Sequence, residues 1–338
     1  MNHVDRHLSL VLPGLLDEGM AQLSSPALEG VLSRAERRNG RAGLEAALFE
    51  LFGVETPSGQ DLPVAAVSYV SDVGHAPAGY CLRADPVHLV PDRDHLVLVD
   101  GATLRLSPAE AERLAGELTA HFAEDGWRWV APVPTRWYLT LPEAPALRTY
   151  PLAMASGKAI GEFLPLGGEG KRWHGIMNEV QMLLHASEVN RHRLAMGQIP
   201  VSSVWFWGGG CVPAVGHSRW SQVWSNEPVS LGLAELSCTP RSAAPADADA
   251  WLHAASAPGE HLLVLEDLSL ALRTGAGDDA QAALHALQAA WLAPLCAALR
   301  GRRLNSLTLY ACNGRVFHLT RAGLRRWWRR RLPLRRYL

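Results

Sequence analysis

The chain has 338 residues, 48% hydrophobic and 19% charged, with 32 Lys and Arg against 33 Asp and Glu. Such a length buries a large core, as one big domain or two unequal ones, and the near-zero net charge gives no whole-chain case for nucleic-acid binding. Five scattered cysteines without a CxxC pair exclude a disulfide framework or a structural zinc site, and a poor signal peptide with no later spanning run predicts a soluble, cytoplasmic chain.

Residues 8–16 read as a first strand that enters a turn at Pro13 and Gly14. Ser25-Pro26 opens a helix, with Ser25 as its cap. A short helical piece, GLEAALFELFG, precedes a turn-rich linker. Ser71, Asp72 and His75 fall in a stretch expected to be a surface loop. Arg83 and Asp85, two apart, suit either a local ion pair or an anion site. DHLVLVDG alternates as a half-buried strand does. Ser107, Pro108 and Glu110 then form a capping-box pattern at the head of an amphipathic helix. Arg136 beside Trp137 suits a pocket or an ordinary edge strand. Lys171 and Arg172 read as a solvated pair.

Residues 178–210 organise the rest. Asn178, Gln181, His185, Glu188 and His192 recur at helical spacing on one face, and Val180, Leu183, Leu184 and Leu194 are expected to pack inward on the other. Gly197 and Pro200 stop the helix. VSSVWFW is a buried strand by composition. Gly208, Gly209 and Gly210 read as a sharp turn at its carboxyl end, where open α/β sheets bind ligands.

Residues 261–299 predict a buried strand followed by one long Ala/Leu helix, and Asn313-Gly314 predicts a hairpin turn. From Arg321 onward there are eight arginines and no acidic residue. A helix starting after Thr320 would line up Leu324, Trp327, Trp328 and Leu332. That composition suits an anionic membrane or nucleic acid. The expected reading is nevertheless a closing helix docked on the body.

The pattern EVNxxRxxxGxxPxxxxWFWGGG resembles the segment HxVNxxRxxxGxxPANxIWLWGxG of archaeal-type cofactor-independent phosphoglycerate mutases. It resembles more closely the RpfE-type regulatory proteins, a bacterial family related to those mutases. Asn190, Arg193, Gly197, Pro200, Trp207, Gly208 and Gly210 carry the match. The resemblance implies an α/β fold: a doubly wound core like that of the alkaline phosphatase superfamily, with an inserted smaller α+β domain. Its expected divisions are 1–79 and 166–320 for the core, 80–165 for the insertion and 321–338 for a basic tail.

By the same resemblance Arg83 binds the phosphate or carboxylate of a phosphoglycerate, a task suited to a planar guanidinium. Asp85 stands where the mutases carry asparagine, and Asp85, Pro86 and His88 form the RADPVHL signature of the regulatory branch. The ligand site so implied comprises Arg83, Asp85, His88, Asn190, Arg193 and the backbone N–H groups near Gly208, Gly209 and Gly210. The metal ligands of the mutases are not matched: Pro13 stands for an aspartate, and VLEDLSLALRTG keeps only Glu266 and Asp267. The expectation is a mutase-like regulatory protein without a cofactor that binds a phosphorylated small metabolite or a protein partner. One alternative is an active mutase or phosphatase holding Mn or Mg on Asp17, Asp72, His75 and Glu266. Another is a membrane or nucleic-acid adaptor acting through the tail.

Overall fold

Alternation along RHLSLV sends Leu8 and Leu10 to one side of the first strand, β1 (Arg6–Val11), and His7 and Ser9 to the other. In the computed structural model, which describes residues 5–55, 59–274, 277–326 and 328–338, β1 is the middle strand of a seven-stranded sheet. The order is β2 (Glu36–Ala42), β12 (Asn313–Thr320), β11 (Ser306–Tyr310), β1, β10 (Gly259–Val264), β8 (Trp220–Trp224) and β9 (Arg241–Ser242). From β11 to β9 the strands run parallel; β12 and β2 close one edge antiparallel. Cys312, Asn313 and Gly314 turn β11 into β12, with Cys312 and Gly314 at positive φ.

Leu8 and Leu10 share a core with Leu28 and Leu32 of α1 (Pro26–Arg34), Trp251 of α10 (Ala248–Ala254), Leu284 of α12 (Gly277–Leu287) and Leu295 and Leu299 of α13 (Ala293–Arg300). On the opposite face, the end of α2 (Leu44–Leu51) lines a cavity with Ser9 and Thr308, and α2 packs against α9 (Pro228–Leu236). Helices on both faces of a mostly parallel sheet make this a doubly wound α/β unit. It comprises Met1–Glu55 and Ala214–Leu338.

Two expectations change in this unit. After α11 (Asp267–Thr274), the long helix is not uniform: α12 leads through a wider turn at Gln288–Leu292 into α13, whose second residue is Pro294. Proline has no N–H to give to the preceding turn, and the helix widens where that bond is missing. The run Asp279–Arg300 is also long and apolar enough to cross a membrane by length and composition, contrary to the sequence expectation, yet Leu284, Trp291, Leu295 and Leu299 lie in the core. Instead of one helix, the tail forms the short α14 (Arg321–Leu324), capped by Thr320, and, further on, a single 3-10 turn at Leu334–Arg336. Trp327 lies outside the described residues.

The second unit, Thr56–Pro213, is α+β. Its antiparallel sheet runs β4 (His95–Val99), β3 (Tyr80–Asp92), β6 (Arg136–Leu141) and β5 (Arg128–Val133), with β7 (Ser203–Gly210) added to β3. Its helices are α3 (Val64–Val73), α4 (Gly101–Leu104), α5 (Pro108–His121), α6 (Leu152–Ala155), α7 (Gly170–Ala186) and α8 (Glu188–Ala195). The insertion is therefore wider than 80–165: β7 pairs with β3, and α3 packs on both strands. Ser187 ends α7 and caps α8, its hydroxyl accepting from Val189 N. That break swings the last turn out of phase, so Leu194 is 57% exposed instead of packed inward.

Candidate functional site

Arg83 and Asp85, two residues apart on β3, project from one face of the strand. The Arg83 fork donates from Nε and Nη2 to Asp85 Oδ1, at 3.0 and 2.8 Å, and from Nη2 to Oδ2 at 2.8 Å. Asp85 also accepts from Trp207 Nε1 at 2.8 Å and from the Trp137 backbone N–H at 3.2 Å. The guanidinium sits 5.1 Å from the centroid of the Trp207 ring and 5.4 Å from that of Tyr138. Arg83 is 5% exposed and Asp85 1%. Burial alone would lower the Arg83 pKa, but Asp85, with Tyr138 and Asp72 beside it, more than offsets this and holds the guanidinium protonated. This is a closed ion pair, two aromatic faces deep.

A second pair lies beside it. Arg136 grips Asp72 with two bonds of 2.8 Å, and the Tyr138 hydroxyl donates to Asp72 at 2.6 Å. Burial pushes the Tyr138 phenol well above its ordinary range. Asp72 is therefore on a buried helix, α3, and not in a surface loop; PVAAVSYV is rich in small and β-branched residues, which masks helical spacing. Asp72 and Arg136 stood out singly in the sequence, but their pairing across 64 residues needed the fold.

Asn190 and Arg193 occupy a different place. Asn190 donates to the carbonyls of Leu184 (2.8 Å) and Val201 (2.7 Å) and accepts from Val201 N (2.9 Å), tying the end of α7 to the approach of β7. Arg193 donates to Ile199 O at 2.9 Å, to Leu104 O, and to Glu110 Oε1 at 2.9 Å. The other oxygen of Glu110 closes the predicted capping box on Ser107 N at 2.8 Å. One carboxylate thus starts α5 and anchors α8.

The glycines correct the expected turn. Gly208, Gly209 and Gly210 are the last residues of β7, in an antiparallel sheet and not at the end of a parallel strand. Gly208 alone has positive φ, +65°, and its N–H donates to Thr149 Oγ1 at 3.1 Å. A Cβ on Gly209 would run into the Tyr80 hydroxyl, and one on Gly210 would lie 2.5 Å from Pro63 Cβ. Bare backbone is needed there so that β7 can lie against Tyr80 of β3 and against Pro63 at the head of α3. His88, five residues from Arg83, points to the other face of β3 and is half-buried, with its pKa lowered by burial. The eight implied site residues therefore fall into separate clusters, and Arg83, Asn190 and Arg193 share no hydrogen-bond partner.

At the carboxyl ends of the parallel strands, β1 runs into Pro13 and β10 into Glu266 and Asp267. Beyond β8, Glu227 is buried and caps α9, accepting from Val229 N at 2.8 Å and Ser230 N at 2.6 Å. Burial, and then the nearby charges of Glu266 and Glu45, push its pKa up to about 8. Burial does the same to the Cys312 thiol, pushed up to about 12. Among the described residues no three His, Cys, Asp or Glu side chains are grouped to hold a metal ion. Of the alternative set, Asp72 accepts from Arg136 and Tyr138, His75 Nδ1 faces Ala76 O at 2.9 Å, and Asp17 and Glu266 belong to the first unit.

No family model matches the chain. It is similar to a probable 2,3-bisphosphoglycerate-independent phosphoglycerate mutase of Geobacter sulfurreducens, 26% identical over 231 residues, which cover 62% of this chain and 56% of that protein. It is also similar to a 2,3-bisphosphoglycerate-independent phosphoglycerate mutase of Methanosarcina mazei, 25% identical over 208 residues, 56% of this chain and 49% of that protein. The chain spans about half the length of the curated relatives it matches. Among solved structures, the PH0037 protein of Pyrococcus horikoshii aligns with a TM-score of 0.54 at 9% identity, over 95% of this chain and 88% of that one, a likeness of fold. A cofactor-independent phosphoglycerate mutase from Thermoplasma acidophilum aligns with a TM-score of 0.46 at 17% identity, over 94% and 90%. The curated relatives of this α/β chain are cofactor-independent phosphoglycerate mutases.

Proposed function

We propose that this chain is a regulatory protein derived from the phosphoglycerate mutases, of the RpfE type, that acts by binding and does not transfer phosphate. The observation that carries the reading is the closed Arg83–Asp85 pair. The resemblance puts a neutral asparagine where Asp85 stands, and an aspartate there spends the arginine's charge inside the protein. Asn190 and Arg193 likewise spend their donors on backbone carbonyls and Glu110. A protein partner therefore suits the geometry better than a phosphorylated three-carbon acid, which needs open guanidinium groups.

The test is an assay for interconversion of 2- and 3-phosphoglycerate, run beside thermal unfolding with 3-phosphoglycerate, each with and without manganese. The expected result is no turnover and no rise in the unfolding midpoint, because a ligand of the folded state raises it. Turnover abolished by a chelator would overturn the proposal in favour of an enzyme. A metal-independent rise in the midpoint would restore the metabolite as ligand.

A further inference from the structure

The carboxyl-terminal arginines do not trail from the first unit. Leu334 and Tyr337 are buried, and the Tyr337 ring meets Phe317 edge-on at 6.0 Å. The Arg37 guanidinium lies 4.7 Å from the centroid of the Tyr337 ring. Arg329 Nη1 donates to Ser33 O at 3.3 Å and Ala35 O at 3.1 Å, closing off the last carbonyls of α1. The tail is thereby fixed beside α1 and β2, which bring arginines of their own.

Arg37, Arg329 and Arg330 line one cavity of about 470 Å³ at this corner, over Tyr337. Its one carboxylate, Glu36, is held by Arg38 Nε at 3.1 Å. Among the described residues, no acidic side chain forms an ion pair with Arg37, Arg329, Arg330, Arg335 or Arg336. Trp328 is 65% exposed and Leu332 38%, on the same segment. Convergent guanidinium groups with spare donors recognise phosphate. An exposed indole flanked by arginines suits the boundary between headgroups and acyl chains. Nucleic acid also offers phosphate, but an aliphatic side chain such as Leu332 finds its counterpart in an acyl chain and not in a base.

We propose that this corner of the first unit is a docking surface for an anionic phospholipid membrane, with Arg37, Arg329 and Arg330 taking headgroup phosphate and Trp328 and Leu332 entering the interface. It stands independently of the regulatory reading. The test is sedimentation of the full chain with vesicles of phosphatidylcholine alone and of phosphatidylcholine mixed with phosphatidylglycerol. Binding is expected only to the mixed vesicles, and raising the salt should release it. Arg37→Glu with Arg330→Glu should weaken it about tenfold or more. Arg335→Glu with Arg336→Glu, both exposed, should weaken it too and guards against a folding artefact. Trp328→Ala should weaken binding yet leave its salt dependence. Equal sedimentation with neutral vesicles, no sedimentation with either, or undiminished binding by both charge-reversed variants would overturn the proposal. Duplex DNA that strips the protein from vesicles at equal phosphate concentration, and binds the Trp328→Ala variant unimpaired, would overturn it in favour of nucleic acid.

Discussion

Arginine does opposite things in the two units. Around β3 three guanidinium groups each hold a carboxylate: Arg83 with Asp85, Arg136 with Asp72, Arg193 with Glu110. At the end of the chain six arginines, Arg325, Arg329, Arg330, Arg331, Arg335 and Arg336, are exposed, and no acidic residue follows Arg321. Buried, a planar guanidinium is a connector, because leaving any of its donors idle in a low dielectric is costly. Exposed and crowded with its own kind, it is a receptor for whatever anion arrives. The arginines of the motif are thus engaged within the second unit, while those at the end of the chain are exposed.

The sharpest break of this contrast is Asp85→Asn, which strands Arg83 in the interior. It should cost about 3–5 kcal/mol in urea unfolding. Arg83→Met added to it should return most of the loss; a single variant within about 1 kcal/mol of the parent would mean the pair is not closed. Glu227 is a buried carboxyl with, among the described residues, no cationic partner. Its folded pKa of about 8 exceeds the 4.5 of an unperturbed glutamate, so folding takes up a proton between those values. Stability should therefore be greatest below about pH 4.5 as far as this group is concerned and fall by a few kcal/mol as the pH rises through 8, and Glu227→Gln should flatten that slope. Gly209→Ala presses a methyl into Tyr80 and should cost about 1–3 kcal/mol, partly recovered by Tyr80→Phe. Arg336→Ala, at the open end of the scale, should change stability by less than about 0.5 kcal/mol.

The readable parts of the sequence were those with local causes. Ser107, Pro108 and Glu110 announced their capping box because its partners are three residues apart. VSSVWFW announced β7 by composition alone, and Arg83–Asp85 could be read as an ion pair from its spacing on one strand face. What could not be read depends on the partner element. The three glycines look the same in a ligand loop and in a strand pressed against α3; only Pro63 and Tyr80, far away in sequence, decide. Asn190 and Arg193 stand out in the motif, but that Leu184, Leu104 and Ile199 present their carbonyls to them could be seen only in the fold. The helical face drawn through His185 and His192 failed at Ser187, a residue equally at home as a helix interior and as a cap.

The position of β1 carries a consequence for biosynthesis. Its register partners are Gly259 to Val264 on one side and Ser306 to Tyr310 on the other, so β1 is made well before either strand it pairs with. The β3-to-β7 sheet, by contrast, is complete in sequence once Gly210 has been made. During synthesis of the intervening residues Leu8 and Leu10 have no sheet to join, which exposes an apolar edge for the span in which non-local pairing is slowest to form. A nascent chain arrested shortly after residue 213 would be expected to carry a protease-resistant second unit and a protease-sensitive amino-terminal strand that awaits a chaperone or the remaining residues.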